Sequence, residues 1–537
     1  MTHSNIYPFK TRPYAHQRVA WELSRDKDEF ALFMDMGTGK SKVIIDTIAY
    51  LYDKGRIDSV LIVAPKGVYQ NWIRNEIPTH LPDHIVTQIA AWYASPKKEQ
   101  AKAIQDILKP THDLRVFVMN VEAFSSSKGV KFAEAFMRCA GNCMMVVDES
   151  TTIKSPKASR TKQVIRIGIQ AKYRRILTGE PVTRSPLDLY TQFQFLNPVC
   201  LGFSSYYSFR NRYSIMIDMK AGTRTFKKVV GFQRLDELSE QIKQFSYRIK
   251  KEKCLDLPPK TYTYRYVELT PEQKKVYKSI SDNAVAFLDG KVLSVDNALT
   301  ALLRLHQVTC GHYTSDDDET ILVPNNRITE LLQCIEEGPN KVIIWATYIQ
   351  DILAITAALR KEYGDESLVQ YYGAVSIDER NDAIERFQKD PETRFFIGNP
   401  QTGSMGITLT AADTVIYYSN SYNLEHRLQS EDRAHRIGQK NNVLYFDLIA
   451  ENTLDNKIIK VLLEKQELAN IITGDYSVGA SGIMIENGEF AYPVSEITIA
   501  GNFHEMFKNI ILADDLEFKY STNSPTMLIS GMTVGGK

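Results

Sequence analysis

A short loop near the amino terminus carries the residue types that can hold a phosphate chain. Segment 36–41 reads MGTGKS, and its candidate ligands are Gly37, Thr38, Gly39, Lys40 and Ser41. It follows an apolar strand pattern and opens a helical one, so backbone N–H groups at the helix start can face an anion. Lys40 would reach the terminal phosphates of a nucleotide, and the Ser41 hydroxyl would bind Mg²⁺. The strict pattern requires a glycine at position 34, where Met34 stands, so an ordinary strand-turn-helix corner is the alternative.

Two adjacent carboxylates end another apolar strand pattern further along the chain. In VVDES (146–150), Asp148 is suited to binding Mg²⁺ and Glu149 to orienting and deprotonating an attacking water. Acidic pairs at strand ends are also common on protein surfaces, which is the alternative. The order of the segments favours chemistry, because α/β sheets bind ligands at the carboxyl edge, where both segments lie.

A third segment, QSEDRAHRIGQ at 429–439, places two arginines three residues apart. If residues 424–436 are helical, Gln429, Arg433 and Arg436 lie at i, i+4 and i+7 and form one stripe that can meet one ligand. The alternative is a solvated helix face on which Asp432 pairs with Arg436, a contact of about 0.2–0.5 kcal/mol. In isolation the segment does not decide between the two.

Short apolar runs alternate with helical patterns in the first two hundred residues. They are rich in Val and Ile and read FALFMDM, SVLIVAP, HIVTQIA, LRVFVMN, CMMVVDES and YRRILTGE. This alternation is typical of a parallel sheet covered by helices on both faces. It predicts an α/β lobe over residues 1–200.

The same alternation returns after residue 325. Its runs read KVIIWATY, SLVQYYG, TRFFIGNP, DTVIYYSN and NVLYFDLIA, followed by a helical pattern that ends near Thr473. We therefore expect two tandem parallel-sheet lobes, the second over 326–473. Residues 201–325 are aromatic and basic and then helical, which predicts a helical insert or linker. Residues 474–537 carry glycines, turns and the alternation EITIAG, which predicts a small β-rich tail.

Bulk composition limits the class of protein. The 537 residues are 43% hydrophobic, enough to fill the cores of roughly three domains. With 65 Lys and Arg against 64 Asp and Glu, net charge neither supports nor excludes a nucleic-acid partner. Charge is unevenly distributed, since the tail holds eight acidic and three basic residues and leaves the body mildly basic.

Cysteine usage and hydropathy exclude several other classes. The six cysteines are scattered without CxxC pairs, which argues against a disulfide framework or a structural zinc site. No stretch has the apolar length of a signal-peptide core or a membrane span. We expect a cytoplasmic protein, bacterial or viral, with no membrane partner.

Taken together, these segments resemble the SWI/SNF-type translocases of helicase superfamily two. Matches in family order run from about Tyr14 to Ile472 and include YAHQ, APKGVYQNW, MNVEAF, DESTTIKSP, LTGEPVTRSPLDLYTQFQFLNP, IKKEKCLDLPPK, KVIIWATY, GNPQTGSMGITLTAADTVI and QSEDRAHRIGQ. The last motif is the most specific. The resemblance implies two RecA-like lobes that bind ATP and Mg²⁺ between them.

The resemblance also implies roles for individual residues. Gln17 would recognise adenine, and Arg433 and Arg436 would be arginine fingers that complete the ATP site across the lobe interface. Contacts with the DNA backbone would come from Lys66, Asn120, Gly403 and Thr408.

Three residues depart from the family pattern. Thr151 stands where a histidine is usual, Glu180 where a threonine is usual, and Thr408 where an asparagine is frequent. These departures predict altered coupling between hydrolysis and movement more than altered ATP binding.

The tail resembles a different family. GDYSVGASGIMIENGEFAYPVSEITIAGNFHEMF, from residue 474 on, is similar to the C-terminal end of the PmbA/TldD metallopeptidases. The stretch HEMFK, which begins at His504, has no second histidine at metal-binding spacing. We expect a non-catalytic appendage or fusion remnant, with binding of a protein partner as the alternative.

These observations predict a monomeric ATP-dependent DNA translocase that moves on duplex or branched DNA without reading its sequence. One alternative is a strand-separating DNA or RNA helicase, which the LDLPPK segment disfavours. A second is a P-loop NTPase switch that binds no nucleic acid. A third is a peptidase-linked module built on the tail, which the missing metal ligands disfavour.

Overall fold

The structure is a computed structural model. It describes residues 7–66, 68–221, 224–251, 254, 257–290, 295–315, 317–338, 340–403, 406–473, 475–486, 489–502, 510–512, 527–529 and 533–535. None of the helices in these ranges is both long and apolar enough to span a bilayer.

All six apolar runs of the first lobe are strands of one parallel sheet. They are β1 (Glu29–Met34), β2 (Ser59–Ala64), β3 (Thr87–Ala91), β4 (Leu114–Asn120), β5 (Cys143–Asp148) and β6 (Tyr173–Leu177). The α-helices before, between and after them are α1 (Ala15–Ser24), α2 (Lys40–Asp53), α3 (Tyr69–Asn71), α4 (Ile77–His80), α5 (Lys98–Asp106), α6 (Ser127–Cys139), α7 (Ser159–Gly168) and α8 (Leu189–Leu196). Neighbouring strands pair in parallel, as the Val- and Ile-rich runs predict.

Both faces of this sheet are buried. Along β2, Leu61 and Val63 belong to one hydrophobic cluster, whereas Val60 and Ile62 belong to a second. Successive side chains of a strand point to opposite faces, so the two clusters are the two faces of the sheet under their helices. This explains why the strand runs read as continuously apolar rather than alternating.

Segment 201–325 differs from the expected helical insert because it contributes a strand to each lobe's sheet. Its helices are α9 (Tyr206–Tyr213), α10 (Leu235–Lys243), α11 (Pro271–Gly290) and α12 (Val295–Cys310). Its strands are β7 (Ser214–Ala221), β8 (Arg224–Phe232), β9 (Ser246–Ile249), β10 (Lys260–Val267), β11 (His312–Thr314) and β12 (Thr320–Leu322). The β9 strand pairs in parallel with β1 and completes the order β3-β4-β2-β5-β6-β1-β9. As edge strands with polar residues, β9 and β10 lack the apolar run that reveals a central strand.

The second lobe repeats the architecture of the first. Its strands are β13 (Lys341–Trp345), β14 (Leu368–Tyr371), β15 (Phe395–Gly398), β16 (Ala412–Tyr417) and β17 (Val443–Ala450). Its helices are α13 (Arg327–Glu337), α14 (Ile349–Tyr363), α15 (Ile377–Lys389), α16 (Pro400–Gly403), α17 (Leu424–Glu431) and α18 (Leu454–Thr473). The sheet is parallel throughout, in the order β10-β17-β16-β13-β15-β14. The α/β fold with two parallel-sheet lobes is therefore confirmed.

Beyond residue 474, the described backbone is all strand. It comprises β18 (Asp475–Glu486), β19 (Glu489–Asn502), β20 (Ile510–Leu512), β21 (Met527–Ile529) and β22 (Thr533–Gly535). The pairs β18–β19, β19–β22 and β20–β21 are antiparallel. The tail is β-rich, as its alternating sequence predicts.

Candidate functional site

The glycine loop joins β1 to α2 and needs its glycines for two physical reasons. Gly37 and Gly39 have φ angles of +77° and +86°, in the left-handed region that favours glycine. In addition, a Cβ atom on Gly39 would lie 2.2 Å from Nε2 of Gln17. Lys40 and Ser41 are the first two residues of α2, so both lie at the positive end of the helix dipole.

Lys40 and Gln17 are both hydrogen-bonded to the loop. The Lys40 Nζ atom donates to the carbonyl oxygens of Met34 at 2.9 Å and Asp35 at 3.3 Å. The Gln17 side-chain amide donates to the carbonyl oxygen of Thr38 at 3.0 Å. Thr38 is fully buried, and its hydroxyl supports the loop by donating to the carbonyl oxygen of Asp35 at 2.7 Å. In this arrangement Gln17 supports the loop as well, and its contact with adenine stays a prediction.

Of the two carboxylates at the end of β5, Asp148 is buried and Glu149 is half-buried. Asp148 accepts hydrogen bonds from Trp72 Nε1 and from the Glu149 backbone N–H, both at 3.0 Å. Glu149 has a φ of +46°, an uncommon conformation for a residue other than glycine. Burial raises the pKa of Glu149 to about 7, with Lys40 opposing the rise and Asp148 adding to it. Burial also raises the pKa of Asp148.

The arginine segment does not continue α17 as a helix. That helix ends at Glu431, and the residues after it form turns and bends, so the condition that residues 424–436 form one helix is not met. The backbone N–H of Arg433 donates a hydrogen bond to the carbonyl oxygen of Ser430. This acceptor is three residues back instead of four, so the chain forms a tighter turn than an α-helix. Gln429, Arg433 and Arg436 nevertheless all line one cleft.

Both arginines are anchored to the backbone of lobe two and reach toward lobe one. Arg433 Nη1 and Arg436 Nη1 donate to the carbonyl oxygen of Ile407 at 3.2 and 3.0 Å. Arg433 Nη2 lies 3.6 Å from Sδ of Met36 in the glycine loop. Burial lowers the pKa of Arg433 to about 10, so its guanidinium is still charged at neutral pH.

The solvated-face alternative for this segment does not hold. Gln429 and Arg433 are 7% and 5% exposed, which is incompatible with a face turned to solvent. Asp432, expected in that alternative to pair with Arg436, forms an ion pair with Lys251 from the segment between the lobes. The arginines are therefore directed into the protein.

These elements enclose one cleft of about 580 Å³ between the lobes, within the usual size range of small-molecule sites. The candidate residues that line it are Gly37, Gly39, Lys40, Ser41, Asp148, Glu149, Gln429, Arg433 and Arg436. Sequence reasoning missed other lining residues, among them His80, Arg160, Gln401 and Glu425. Neither their residue types nor their spacing marks them as ligands, because the packing of distant elements brings them to the cleft.

The four residues assigned to DNA lie outside the cleft lining. Lys66 is exposed just after β2, and Asn120 ends β4 and donates to Glu122 Oε2 at 2.9 Å. Because β2 and β4 are neighbouring parallel strands, these two residues share one sheet edge. Gly403 is buried, and a Cβ on it would lie 2.2 Å from the Trp345 ring.

Thr408, the fourth residue assigned to DNA, is half-buried between the backbone groups that anchor the arginines. It directly follows Ile407, whose carbonyl oxygen accepts both guanidinium groups, and it precedes Leu409, whose N–H donates to the Arg433 carbonyl oxygen. The loop that carries Ile407 and Thr408 and the arginine segment are thus one connected unit.

Within the described ranges, no group of three or more His, Cys, Asp or Glu residues lies close enough together to hold a metal ion. The predicted magnesium ligands are a different kind of set, a serine hydroxyl and one carboxylate. Ser41 and Asp148 both line the cleft. His504 of the tail is outside the described residues.

Two parallel-sheet lobes face each other across a glycine loop, an acidic pair and two arginines. This arrangement defines a two-lobed P-loop NTPase core. A family model for the SNF2-related domain matches residues 14–314, and one for the helicase conserved C-terminal domain matches residues 325–438. The chain belongs to the SNF2-related family.

Individual relatives agree with this placement. An uncharacterized ATP-dependent helicase of Mycoplasma pneumoniae is 28% identical over 465 residues, covering 86% of this chain and 42% of the relative. The ISWI chromatin-remodeling complex ATPase ISW1 of Saccharomyces cerevisiae is 28% identical over 485 residues, covering 86% and 40%. The chain thus spans about two fifths of the length of these curated relatives. The solved SWI2/SNF2 ATPase core of Sulfolobus solfataricus in complex with dsDNA shares 25% identity, covers 88% of this chain and 96% of that chain, and superposes with a TM-score of 0.39.

The tail matches a second family. The model of the PmbA/TldA metallopeptidase C-terminal domain matches residues 435–536, which confirms the resemblance seen in the sequence. The match begins earlier than the expected start at residue 474. It takes in β17 and α18, which in this structure belong to lobe two.

Proposed function

We propose that this chain is an ATP-dependent DNA translocase or remodeller that couples ATP hydrolysis to sequence-independent movement along duplex or branched DNA. The observation that carries the proposal is the shared cleft, in which the glycine loop and the acidic pair of lobe one meet the arginines of lobe two. A cleft divided between two lobes can convert nucleotide binding and release into relative movement of the lobes.

ATP would bind with its phosphates at the start of α2. The left-handed backbone at Gly37 and Gly39 lets the chain approach a phosphate closely, and the dipole of α2 favours negative charge there. Lys40 would exchange its bonds to two loop carbonyl oxygens for bonds to phosphate oxygens. Lys40 thus has internal partners that substrate must replace, which links binding to a change in the loop.

Glu149 is the proposed general base. A pKa near 7 means that the carboxylate both exists at physiological pH and is basic enough to take a proton from water. Its strained backbone conformation keeps the side chain beside the loop, where a water attacking the terminal phosphate would lie.

Mg²⁺ is the expected cofactor, and the residues present fit it. Ser41 and Asp148 offer oxygen ligands of the kind that Mg²⁺ prefers. Each Asp148 oxygen accepts one hydrogen bond and keeps a further lone pair. Bound there, the ion would neutralise charge on the phosphates during transfer.

Arg433 and Arg436 are the proposed arginine fingers. Both stay charged at neutral pH, and their shared Ile407 anchor preorganises them at the mouth of the loop. Arginine fingers contribute about 10³ to 10⁵ in rate in comparable sites, so hydrolysis should depend steeply on how the lobes close. Closure would therefore be the step that drives movement.

DNA would be held through its phosphates. Lys66 and Asn120 share one edge of the first sheet, and in the second lobe Gly403 ends α16, the helix that follows β15, with Thr408 five residues later in the chain. Both lobes would then grip phosphates of the same strand, and closure would shift lobe two along that strand relative to lobe one. Phosphate contacts carry no sequence information, so movement would be sequence-independent and sensitive to salt.

Boundaries and the tail complete the proposal. Lobe one would comprise 1–200 and lobe two 326–473, with 201–325 connecting them and contributing an edge strand to each sheet. The tail 474–537 would be an appendage of a monomeric motor, or the docking point of a protein partner. Light scattering of the full chain and of a chain ending at Thr473 would test the oligomeric state.

The decisive experiment is ATP turnover titrated separately with single-stranded DNA, duplex DNA, forked DNA and RNA. We expect the strongest stimulation with duplex or forked DNA. Turnover unchanged by any nucleic acid would instead favour the NTPase switch.

A second assay separates translocation from strand separation. A translocase should displace the third strand of a triplex without separating the duplex beneath it. Efficient strand displacement from a forked duplex would instead identify a strand-separating helicase.

A further inference from the structure

One carboxylate of lobe two is held by two donors of lobe one. Glu425 lies in the first turn of α17, and its Oε1 accepts from Thr151 Oγ1 at 2.6 Å. Its Oε2 accepts from Lys154 Nζ at 2.8 Å. Thr151 and Lys154 lie in and directly after the 3₁₀ turn Ser150–Ile153, which follows the acidic pair. The carboxylate therefore bridges the element that carries the acids and the element that leads to the arginines.

The bridge is fixed at both ends. On lobe two, Asn423 caps α17 by accepting from the backbone N–H of Glu425 at 3.0 Å. On lobe one, Lys154 Nζ also donates to Thr183 Oγ1 at 2.7 Å, and Thr151 is only 2% exposed. A pair whose ends are both held loses little side-chain freedom when it forms, unlike an exposed surface pair.

The ion pair is also shielded from solvent. The side chains of Lys154 and Glu425 are each 18% exposed, and the hydrogen bond from Lys154 to Glu425 is charge-assisted. Removing one partner would leave the other charge half-buried without its counter-ion, which costs more than the loss of a solvated pair.

Glu425 lines the cleft, where a negative charge would repel a triphosphate unless a cation compensates it. Lys154 supplies that compensation. A lone carboxylate at this position would weaken ATP binding, whereas the paired one can set geometry without that cost. The two residues should therefore act as one unit.

We propose that Glu425 is a positioning residue: by accepting hydrogen bonds from Thr151 and Lys154, it sets α17 and the two arginines that follow this helix in position relative to the Asp148–Glu149 turn. The inference rests on the proposed function, because it assigns the bridge to the ATP reaction. The inference also assigns a role to Thr151, that of hydrogen-bond donor to Glu425. Its short hydroxyl reaches the lobe-two carboxylate at the position where a histidine is usual in the family.

The test compares ATP turnover and ATP binding in Glu425→Ala, Lys154→Ala and the double variant, with and without duplex DNA. In Glu425→Ala we expect kcat to fall by about 10- to 100-fold, the cost of misplacing a catalytic group by about 1 Å, with KM for ATP changed by less than about 3-fold. In Lys154→Ala, KM should rise as well, because the Glu425 charge is left uncompensated in the cleft. The double variant should fall no further in kcat than Glu425→Ala, since coupled residues are not additive.

Two further variants separate positioning from general damage. Thr151→Ser keeps the hydroxyl and should retain wild-type kcat, whereas Thr151→Val keeps the shape, loses the donor and should lower kcat. The matched control is Glu451→Ala, which removes an exposed glutamate from the same lobe and should change neither kcat nor KM.

The outcomes distinguish this inference from the proposed function. If wild-type turnover ignores DNA, the DNA function fails, and basal turnover of the same variants still tests the bridge. The inference is overturned if Glu425→Ala turns over ATP like wild type, if its effect adds fully to that of Lys154→Ala, or if ATP binding is lost together with kcat.

Discussion

Replacing Gly39 by alanine tests whether the glycine loop is shaped for a phosphate chain. Gly39 has a φ of +86°, and a Cβ there would lie 2.2 Å from Nε2 of Gln17 and 3.1 Å from its Cδ. Alanine would therefore meet two separate obstacles, one in the backbone and one in the neighbouring side chain.

The magnitude follows from adding the two terms. A left-handed conformation costs a residue other than glycine about 1–2 kcal/mol. Moving Gln17 aside also breaks its bond to the Thr38 carbonyl oxygen, worth about 0.5–1.5 kcal/mol. The total of about 1.5–3.5 kcal/mol corresponds to roughly a 10- to 400-fold loss of ATP affinity if the loop must regain its shape to bind.

Gly55 provides a matched control. It also has a positive φ, +63°, at the end of α2, but a Cβ there would meet nothing within 4 Å. Gly55→Ala should thus incur the backbone cost of about 1–2 kcal/mol as lost stability, with no change in ATP affinity. The difference between the variants isolates the loop and its contact with Gln17.

The assay is equilibrium binding of a fluorescent ATP analogue, together with thermal unfolding of each variant. Adding Gln17→Ala to Gly39→Ala removes the collision, so the unfolding temperature should recover in part, while the cost of the left-handed backbone remains. ATP affinity within about 3-fold of wild type in Gly39→Ala would refute the reasoning, because a loss of 1.5 kcal/mol is about 10-fold.

Three further predictions concern the cleft and lobe two. Lys40→Ala or Glu149→Gln should abolish DNA-stimulated ATP hydrolysis with an unchanged circular dichroism spectrum, and full activity in either would contradict the assigned site. Arg436→Ala should bind ATP normally but lose hydrolysis by about 10³-fold or more, and equal loss of binding would make the residue structural. Burial and, after it, two nearby lysines lower the pKa of His435 to about 4. The unfolded chain therefore binds a proton at this histidine below a pH of about 6.5, whereas the folded state binds it only near pH 4. Stability should therefore fall as pH drops from 6.5 towards 4, by about 2–3 kcal/mol from this group at pH 4.5. His435→Gln, which keeps a donor for the Pro258 carbonyl oxygen, should make the urea midpoint less dependent on pH over this window, and an unchanged dependence would assign the effect to other groups.

The central strands of both lobes could be predicted from the sequence because their burial is recorded in composition. A strand covered on both faces must be apolar along most of its length, as β2 is after Ser59 and β13 is after Lys341. The edge strands could not be predicted in the same way. Four of the eight residues of β10 (Lys260–Val267) are exposed, and three of these four are tyrosines. Its sequence therefore carries no continuous apolar run.

The candidate site was predictable only where one segment supplies several ligands. Lys40 and Ser41 lie in one loop, and Asp148 and Glu149 are adjacent, so spacing reveals them. Glu425 could not be found in this way. Its partners are 271 and 274 residues away in the chain, and only the packing of the two lobes brings them together.

The segment between the lobes explains how Glu180, an acid in place of the usual threonine, is accommodated. Arg248 of β9 lies 3.6 Å from the Glu180 carboxylate and 3.8 Å from that of Asp35, next to the glycine loop. Three residues later, Lys251 donates its backbone N–H to Asp35 at 3.1 Å and forms its ion pair with Asp432.

Arg248 and Lys251 therefore neutralise acids from both sides of the cleft. An additional acid at position 180 extends a charge network that already contains its counter-ions, instead of being buried alone. The same network joins the glycine loop to Asp432, the residue directly before Arg433. For this reason, a substitution at position 180 should change the relative position of the lobes more than it changes ATP binding. This is expected of a residue that affects the coupling between hydrolysis and movement.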